Sequence, residues 1–226
     1  RFVPEMMEKP DDLKDKYIIL MIGRLSGEKR QDLIIKAIGN SKYNDEIQLI
    51  LCGQGPKKEY LEKLSRKYLK NPCRFEFVDQ KQLYSIINYS DLYIHASDAE
   101  SEAIACIEAF SCGKVPIISN SKVSATNHFA RDKRCLFEAG DYRSLQERIE
   151  YFIENPDVVK ELSPIYSEYG KSFALDKCVN QLEAMFEKAI KENEEEKSGV
   201  RKPFYSTCKE RRKIRKAARL CGLENN

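Results

Sequence analysis

The chain has 226 residues, 42% of them hydrophobic, and its 39 Lys and Arg nearly balance 36 Asp and Glu for a formal charge of +3. That is a soluble globular composition with room for one large domain, or one domain with appendages, and the net charge singles out no partner. No apolar run approaches the roughly 18 residues of a membrane-spanning helix, and the opening residues do not read as a signal peptide. Eight cysteines form no Cys-x-x-Cys pair and only two histidines, His95 and His128, are present. Buried, reduced thiols in a cytosolic protein are therefore expected, and a zinc site is not.

Residues 1–16 are rich in Pro and charge and read as a linker. The opening Arg1-Phe2-Val3-Pro4, without an initiator Met, suggests a piece of something longer. Tyr17–Ile22 is a continuous apolar run of strand length, as expected for a strand buried on both faces of a parallel sheet. It stops at Gly23-Arg24-Leu25-Ser26-Gly27-Glu28-Lys29, and a helix follows with Leu33, Ile34, Ala37 and Ile38 on one face. Ile47–Cys52 is a second strand, ending in Gly53-Gln54-Gly55-Pro56 ahead of a charged amphipathic helix. Arg74–Val78, Asp91–His95 and Val115–Ser119 read as three more strands, separated by helices. Alternation of this kind predicts an α/β fold, a Rossmann-like doubly wound parallel sheet over 17–140. Residues 141–195 read as C-terminal helices, and 196–226 as a basic tail.

In such a sheet, ligands bind beyond the carboxyl ends of the strands, where strand order reverses. Three strand ends carry suitable residues. After the first, Gly23 allows close backbone approach while Arg24 and Lys29 bring two positive charges, a natural match for a diphosphate. The alternative is a plain turn with solvated basic residues. The stretch is neither a Walker A loop nor a dinucleotide Gly-x-Gly-x-x-Gly. After the second strand, Gly53-Gln54-Gly55-Pro56 is a weak signal, equally a tight turn. After the fourth, Glu100 and Glu108 lie eight positions apart, about 12 Å along a helix axis. That spacing suits an elongated polar ligand such as a sugar joined to a nucleotide. Residues 101–104 are expected to lead a helix whose open amides favour an anion. Glu108, between Ile107 and Ala109-Phe110, is an acid in an apolar helix and needs a partner. His95 either lines this site or is simply packed.

Taken in order, these pieces resemble the C-terminal domain of family 4 (group 1) glycosyltransferases, enzymes with two Rossmann-like domains in the GT-B arrangement. The family's Gly-Arg-Leu-x-x-Glu-Lys appears as Gly23 to Lys29, its Gly-x-Gly-Pro as Gly53 to Pro56, and its Glu-x7-Glu as Glu100 to Glu108. The likeness covers roughly residues 15–190. It implies transfer of a sugar from a nucleotide-sugar, a UDP-sugar by preference, with retention and without metal or other cofactor. By the same resemblance Arg24 and Lys29 neutralise the donor diphosphate, and Gly53 belongs to the donor site. Glu100 acts at the donor sugar near the reacting carbon, and Glu108 holds the ribose hydroxyls. Amides around Ala103 and Ile104 face the distal phosphate, and the base sits near Val78. Where the family often has Gly-aromatic-Gly, this chain has Ser101-Glu102-Ala103, which adds a Cβ and a negative charge beside the phosphate.

The resemblance also places the acceptor site and further catalytic groups on an N-terminal domain outside this chain. The fragment by itself is therefore expected to bind donor and not to turn over. The expected whole is a cytoplasmic enzyme glycosylating a cell-envelope glycolipid or polysaccharide; the alternative is a nucleotide-sugar-binding module without transfer activity. Residues 201–226 hold nine Lys or Arg against two Glu, with Ile214, Ala217, Ala218 and Cys221 at helical spacing. Such a stretch is either a basic amphipathic helix for the inner face of an anionic membrane or a solvated tail. Nucleic acid is not an expected partner, because the folded part carries no basic patch.

Overall fold

The computed structural model describes residues 2–100 and 102–198, so the basic tail from 201 onward lies outside the described residues. The chain divides into two compact units, 1–173 and 174–226. The first is built on six parallel strands in the order β3-β2-β1-β4-β5-β6. They are β1 (Tyr17–Ile22), β2 (Ile47–Cys52), β3 (Arg74–Glu76), β4 (Leu92–His95), β5 (Pro116–Ser119) and β6 (Leu136–Phe137). Between them run α1 (Gln31–Asn40), α2 (Lys58–Tyr68), α3 (Gln80–Tyr89) and α4 (Ile104–Ser111), followed by α5 (Tyr142–Glu154) and α6 (Pro156–Lys171). This is the doubly wound Rossmann-like sheet that the alternation predicts.

The central strands form where the apolar runs lie, because strands covered by helices on both faces are buried along their length and favour apolar side chains. Ile18, Ile19, Leu20 and Met21 are all buried, and β1 pairs with β2 from Tyr17↔Ile47 to Ile22↔Cys52. On its other edge β1 pairs with β4 at Ile19↔Leu92 and Leu20↔Tyr93. The strand order therefore reverses between β1 and β4, and the carboxyl ends of these two strands open side by side.

Several boundaries differ from the sequence reading, among them the start of β5 at Pro116 instead of Val115. β3 ends at Glu76, not Val78: Phe77 is 71% exposed, and Asp79 leaves the ladder to accept a hydrogen bond from the Gln82 amide in a capping box that starts α3. β4 begins at Leu92, because the Asp91 carboxylate accepts from the Ile18 amide (2.7 Å) and from Lys9 Nζ (2.6 Å). The two-residue β6 has no counterpart in the sequence reading, being too short to show a period; it completes the edge through Ile118↔Leu136 and Ser119↔Phe137.

The segment read as a linker lies against the domain. Asn88 accepts from the Glu5 amide (2.9 Å) and donates to the Val3 carbonyl (3.2 Å), and Phe2 meets Tyr84 edge to face. Lys114 ends α3 from below: its ammonium donates to the Asn88 and Ser90 carbonyls (2.7 and 2.8 Å), and its burial lowers its pKa. Helix α4 is anchored by Phe110, buried among Phe129, Tyr166 and Tyr169 with ring centroids 5.2–5.9 Å away.

In the second unit, α7 (Leu175–Lys197) carries Leu175, Val179, Leu182, Met185, Phe186 and Ile190 as exposed apolar residues at helical spacing. No helix among the described residues is long and apolar enough to cross a membrane.

Candidate functional site

The reversal point between β1 and β4 holds a cavity of about 350 Å³. Its walls come from Gly23, Arg24 and Lys29 after β1, from His95 at the end of β4, and from Glu100, Glu102, Ala103, Ile104 and Ala105 at the start of α4. Two of the three predicted strand ends thus meet in one place. Arg24 is exposed and its guanidinium makes no ion pair or hydrogen bond with the described residues. Lys29 is held by an ion pair to the Glu100 carboxylate, each side chain being 17% exposed. The site is thus bridged by opposite charges, one from each side of the reversal point.

The Glu100 backbone is fixed as well. It forms an isolated parallel bridge with Ser124, and its carbonyl accepts from the Ala125 amide (3.1 Å). The loop before it is fastened to the β1–α1 loop: the Asp98 amide donates to the Glu28 carbonyl (2.9 Å), and Arg30 Nη1 reaches both Asp98 oxygens (2.9 and 3.2 Å). Arg30 adopts a left-handed backbone (φ 53°, ψ 36°), a conformation that costs an L-residue about 1 kcal/mol. The Arg30–Asp98 clasp was missed in the sequence, where two charged residues flanking motifs carry no distinguishing pattern.

The helix lead was expected over residues 101–104; the structure corrects this. Helix α4 starts at Ile104, because Ala103 turns left-handed (φ 48°, ψ 52°) just ahead of it and takes the chain out of helical geometry. Ile104 and Ala105 therefore present the open end of the helix to the cavity, with Ala103 and the exposed Glu102 on its rim. Glu108 stands just over one turn further along α4. Burial raises its pKa, and its carboxylate has no ion pair or hydrogen bond among the described residues. It remains the partnerless acid the sequence marks out.

Gly53 lies behind the cavity instead of in its wall. The Gly23 amide donates to the Cys52 carbonyl (2.9 Å), the Leu25 amide to Gln54 (2.9 Å), and the Lys57 amide to Leu25 (3.0 Å). The Gly-x-Gly-Pro turn thus braces the backbone that carries Arg24. Val78 packs against the core between β3 and α3, apart from this cavity.

His95 is 1% exposed. Burial first, and the Lys29 ammonium second, lower its pKa to about 4 against an opposing pull from Glu100. Above about pH 6.5 the ring is neutral in both folded and unfolded chains and adds no pH dependence. Between there and about pH 4 only the unfolded chain takes up the proton, so stability falls as pH falls. Urea unfolding at about pH 7.5 and about pH 5 should show this as a loss of about 2 kcal/mol that the His95→Gln variant does not share. An equal loss in both proteins would assign the pH dependence to other groups.

Residues 3–173 match the family model described as glycosyl transferases group 1. The chain belongs to that family. Among solved structures, the catalytic domain of cholesterol-alpha-glucosyltransferase from Helicobacter pylori is similar at 39% identity and a TM-score of 0.67, over 70% of this chain and 99% of that one. A similar fold is seen at 18% identity in Anabaena Alr3699/HepE, solved in complex with UDP-glucose, with a TM-score of 0.69 over 79% of this chain and 50% of that one. A curated relative, the uncharacterized glycosyltransferase MJ1069 of Methanocaldococcus jannaschii, is 28% identical over 80% of this chain. This group 1 chain spans 47% of that relative's length.

Proposed function

We propose that the chain is the donor-binding half of a retaining glucosyltransferase that takes glucose from UDP-glucose and delivers it to a membrane lipid of the sterol or glycerolipid class. The observation that supports this reading is the cavity of about 350 Å³ at the β1–β4 reversal, whose lining brings together Arg24 and the ion-paired Lys29 and Glu100. Departure of a nucleoside diphosphate leaves new charge on its distal oxygen. Two cations fixed at that point stabilise it, with the open amides of Ile104 and Ala105 adding to the same field. Lys29 turns from Glu100 to the diphosphate when the donor enters. Glu100 is then released toward the sugar, beside the reacting carbon. Glu108, further along α4, accepts from the ribose hydroxyls, and the base lies toward Val78.

Retention and a lipid acceptor are supported by the likeness to the Helicobacter enzyme, whose name states an alpha linkage to cholesterol. UDP-glucose is itself alpha-linked, so an alpha product keeps the configuration. No step in this scheme calls on a metal, because the two side-chain cations supply the charge. A lipid acceptor places the enzyme at the cytoplasmic face of a membrane, where residues 201–226, with nine Lys or Arg, meet anionic headgroups. The acceptor-binding half belongs to the remaining length that curated relatives have and this chain does not span.

At a concentration about 100 times its Kd, UDP is expected to raise the melting temperature of the 226-residue chain by roughly 5–10 °C. Arg24→Ala and Glu108→Ala should each remove most of that rise while leaving the unliganded melting temperature within about 2 °C of wild type. An unshifted wild type, or unchanged shifts in both variants, overturns the site.

A further inference from the structure

The histidine at the end of β4 is used by nothing described so far. Its Nε2 is buried, has no hydrogen-bond partner among the described residues, and belongs to a side chain that lines the cavity beside Lys29 and Glu100. A buried nitrogen without a hydrogen-bond partner is costly and calls for an explanation. Glu100 Oε2 is 3.9 Å away, too far for a direct hydrogen bond.

The other ring nitrogen is engaged. His95 Nδ1 lies 3.3 Å from the hydroxyl of the fully buried Tyr93, whose second polar neighbour is Cys106 Sγ at 3.8 Å. A thiol sulfur is a weak acceptor and a neutral imidazole nitrogen a good one, so the tyrosine hydroxyl donates to Nδ1. That leaves the ring proton on Nε2, the buried nitrogen on the Glu100 side of the ring.

The cavity therefore offers an N–H donor and a carboxylate acceptor 3.9 Å apart. One oxygen lying about 2.8 Å from each fits that gap and sees them roughly 90° apart. A phosphate oxygen can only accept, and Glu100 would repel it. A hydroxyl can accept from His95 and donate to Glu100 together. We infer that His95 is a sugar-reading residue, donating its Nε2–H to a hydroxyl of the transferred glucose while Glu100 accepts from the same hydroxyl. Tyr93 is the positioning residue that fixes the tautomer. The inference rests on the proposed donor and adds a determinant of which sugar is held.

Titration calorimetry of the full chain with UDP and with UDP-glucose tests it. His95→Leu should weaken UDP-glucose about tenfold and leave UDP unchanged, the worth of one hydrogen bond. His95→Gln, whose amide N–H lies near the position of Nε2, should restore most of that affinity. Tyr93→Phe, which keeps the shape and removes the proton that sets the tautomer, should lose severalfold for UDP-glucose alone. Equal losses for UDP and UDP-glucose would move His95 to the diphosphate and overturn the inference; unchanged UDP-glucose binding in His95→Leu would also overturn it. Should that variant not fold, Tyr93→Phe decides: a selective loss supports the inference and wild-type binding overturns it. A wild-type chain that binds neither compound removes the proposed donor and the inference together, whereas failure of the variants alone leaves the donor reading standing.

Discussion

Gly53→Ala is expected to lower the unfolding free energy by at least about 3 kcal/mol. A Cβ at that position would stand 2.1 Å from the Gly23 carbonyl oxygen and 2.9 Å from its carbon. These are backbone atoms, which no rotamer change can move aside. Neither partner can retreat, because the Gly53 amide is bound to the Glu76 carbonyl (2.8 Å) and the Gly23 amide to Cys52 (2.9 Å). The backbone of Gly53, at φ 150°, is also one that L-residues rarely adopt. Gly27→Ala is the control: nothing lies within 4 Å of the position its new methyl group would take, and its cost should stay within about 0.5 kcal/mol. Urea midpoints of the two variants check the contrast. Because the strained loop carries Arg24, Gly53→Ala should lose UDP binding even where it remains folded.

The same turn shows how far the sequence could be read. The apolar runs at 17–22 and 47–52 are strands in the structure at those bounds, since burial on both faces leaves an unbroken hydrophobic signature. Alternation and handedness imply a doubly wound parallel sheet but leave its strand order open, so the meeting of Gly23–Lys29 and Glu100 at one reversal point is read from the structure. The role of Gly53 was not legible. A glycine that meets a ligand and a glycine that meets another backbone look alike in sequence, because both are required by the missing Cβ. The start of α4 was misread for a similar reason: Ala103 is a good helix former, and only tertiary contacts hold it left-handed. His95 could be packed or functional until its two nitrogens were seen to have different surroundings.

The second large effect concerns the ion pair across the cavity. Lys29→Ala leaves the Glu100 carboxylate, 17% exposed, without its ammonium partner. Removing one side of a largely buried pair should cost about 2–4 kcal/mol, because the desolvation of the survivor is no longer offset. In the double variant Lys29→Met, Glu100→Gln that penalty should fall to about 1 kcal/mol or less, since neither remaining group is charged. The UDP-induced rise in melting temperature should vanish in both proteins if, as proposed, Lys29 meets the diphosphate, because its charge is absent from both. Recovered stability with lost ligand response separates the two roles of Lys29. A double variant as unstable as the single one would show that the pair contributes shape and not charge balance.

The clasp between Arg30 and Asp98 has a consequence for motion. Asp98 lies in a loop, where amides usually exchange with solvent in seconds or less, yet its N–H is held by the Glu28 carbonyl and its own carbonyl accepts from Ser121 Oγ (2.5 Å). Opening the β4–α4 loop therefore means breaking contacts to the β1–α1 loop and to the segment after β5 together. In deuterated water the Asp98 amide should be protected like those of the central strands, and its exchange should track global unfolding. The two walls of the site then form one cooperative unit with the sheet, and the donor meets a surface whose spacing is set by folding itself.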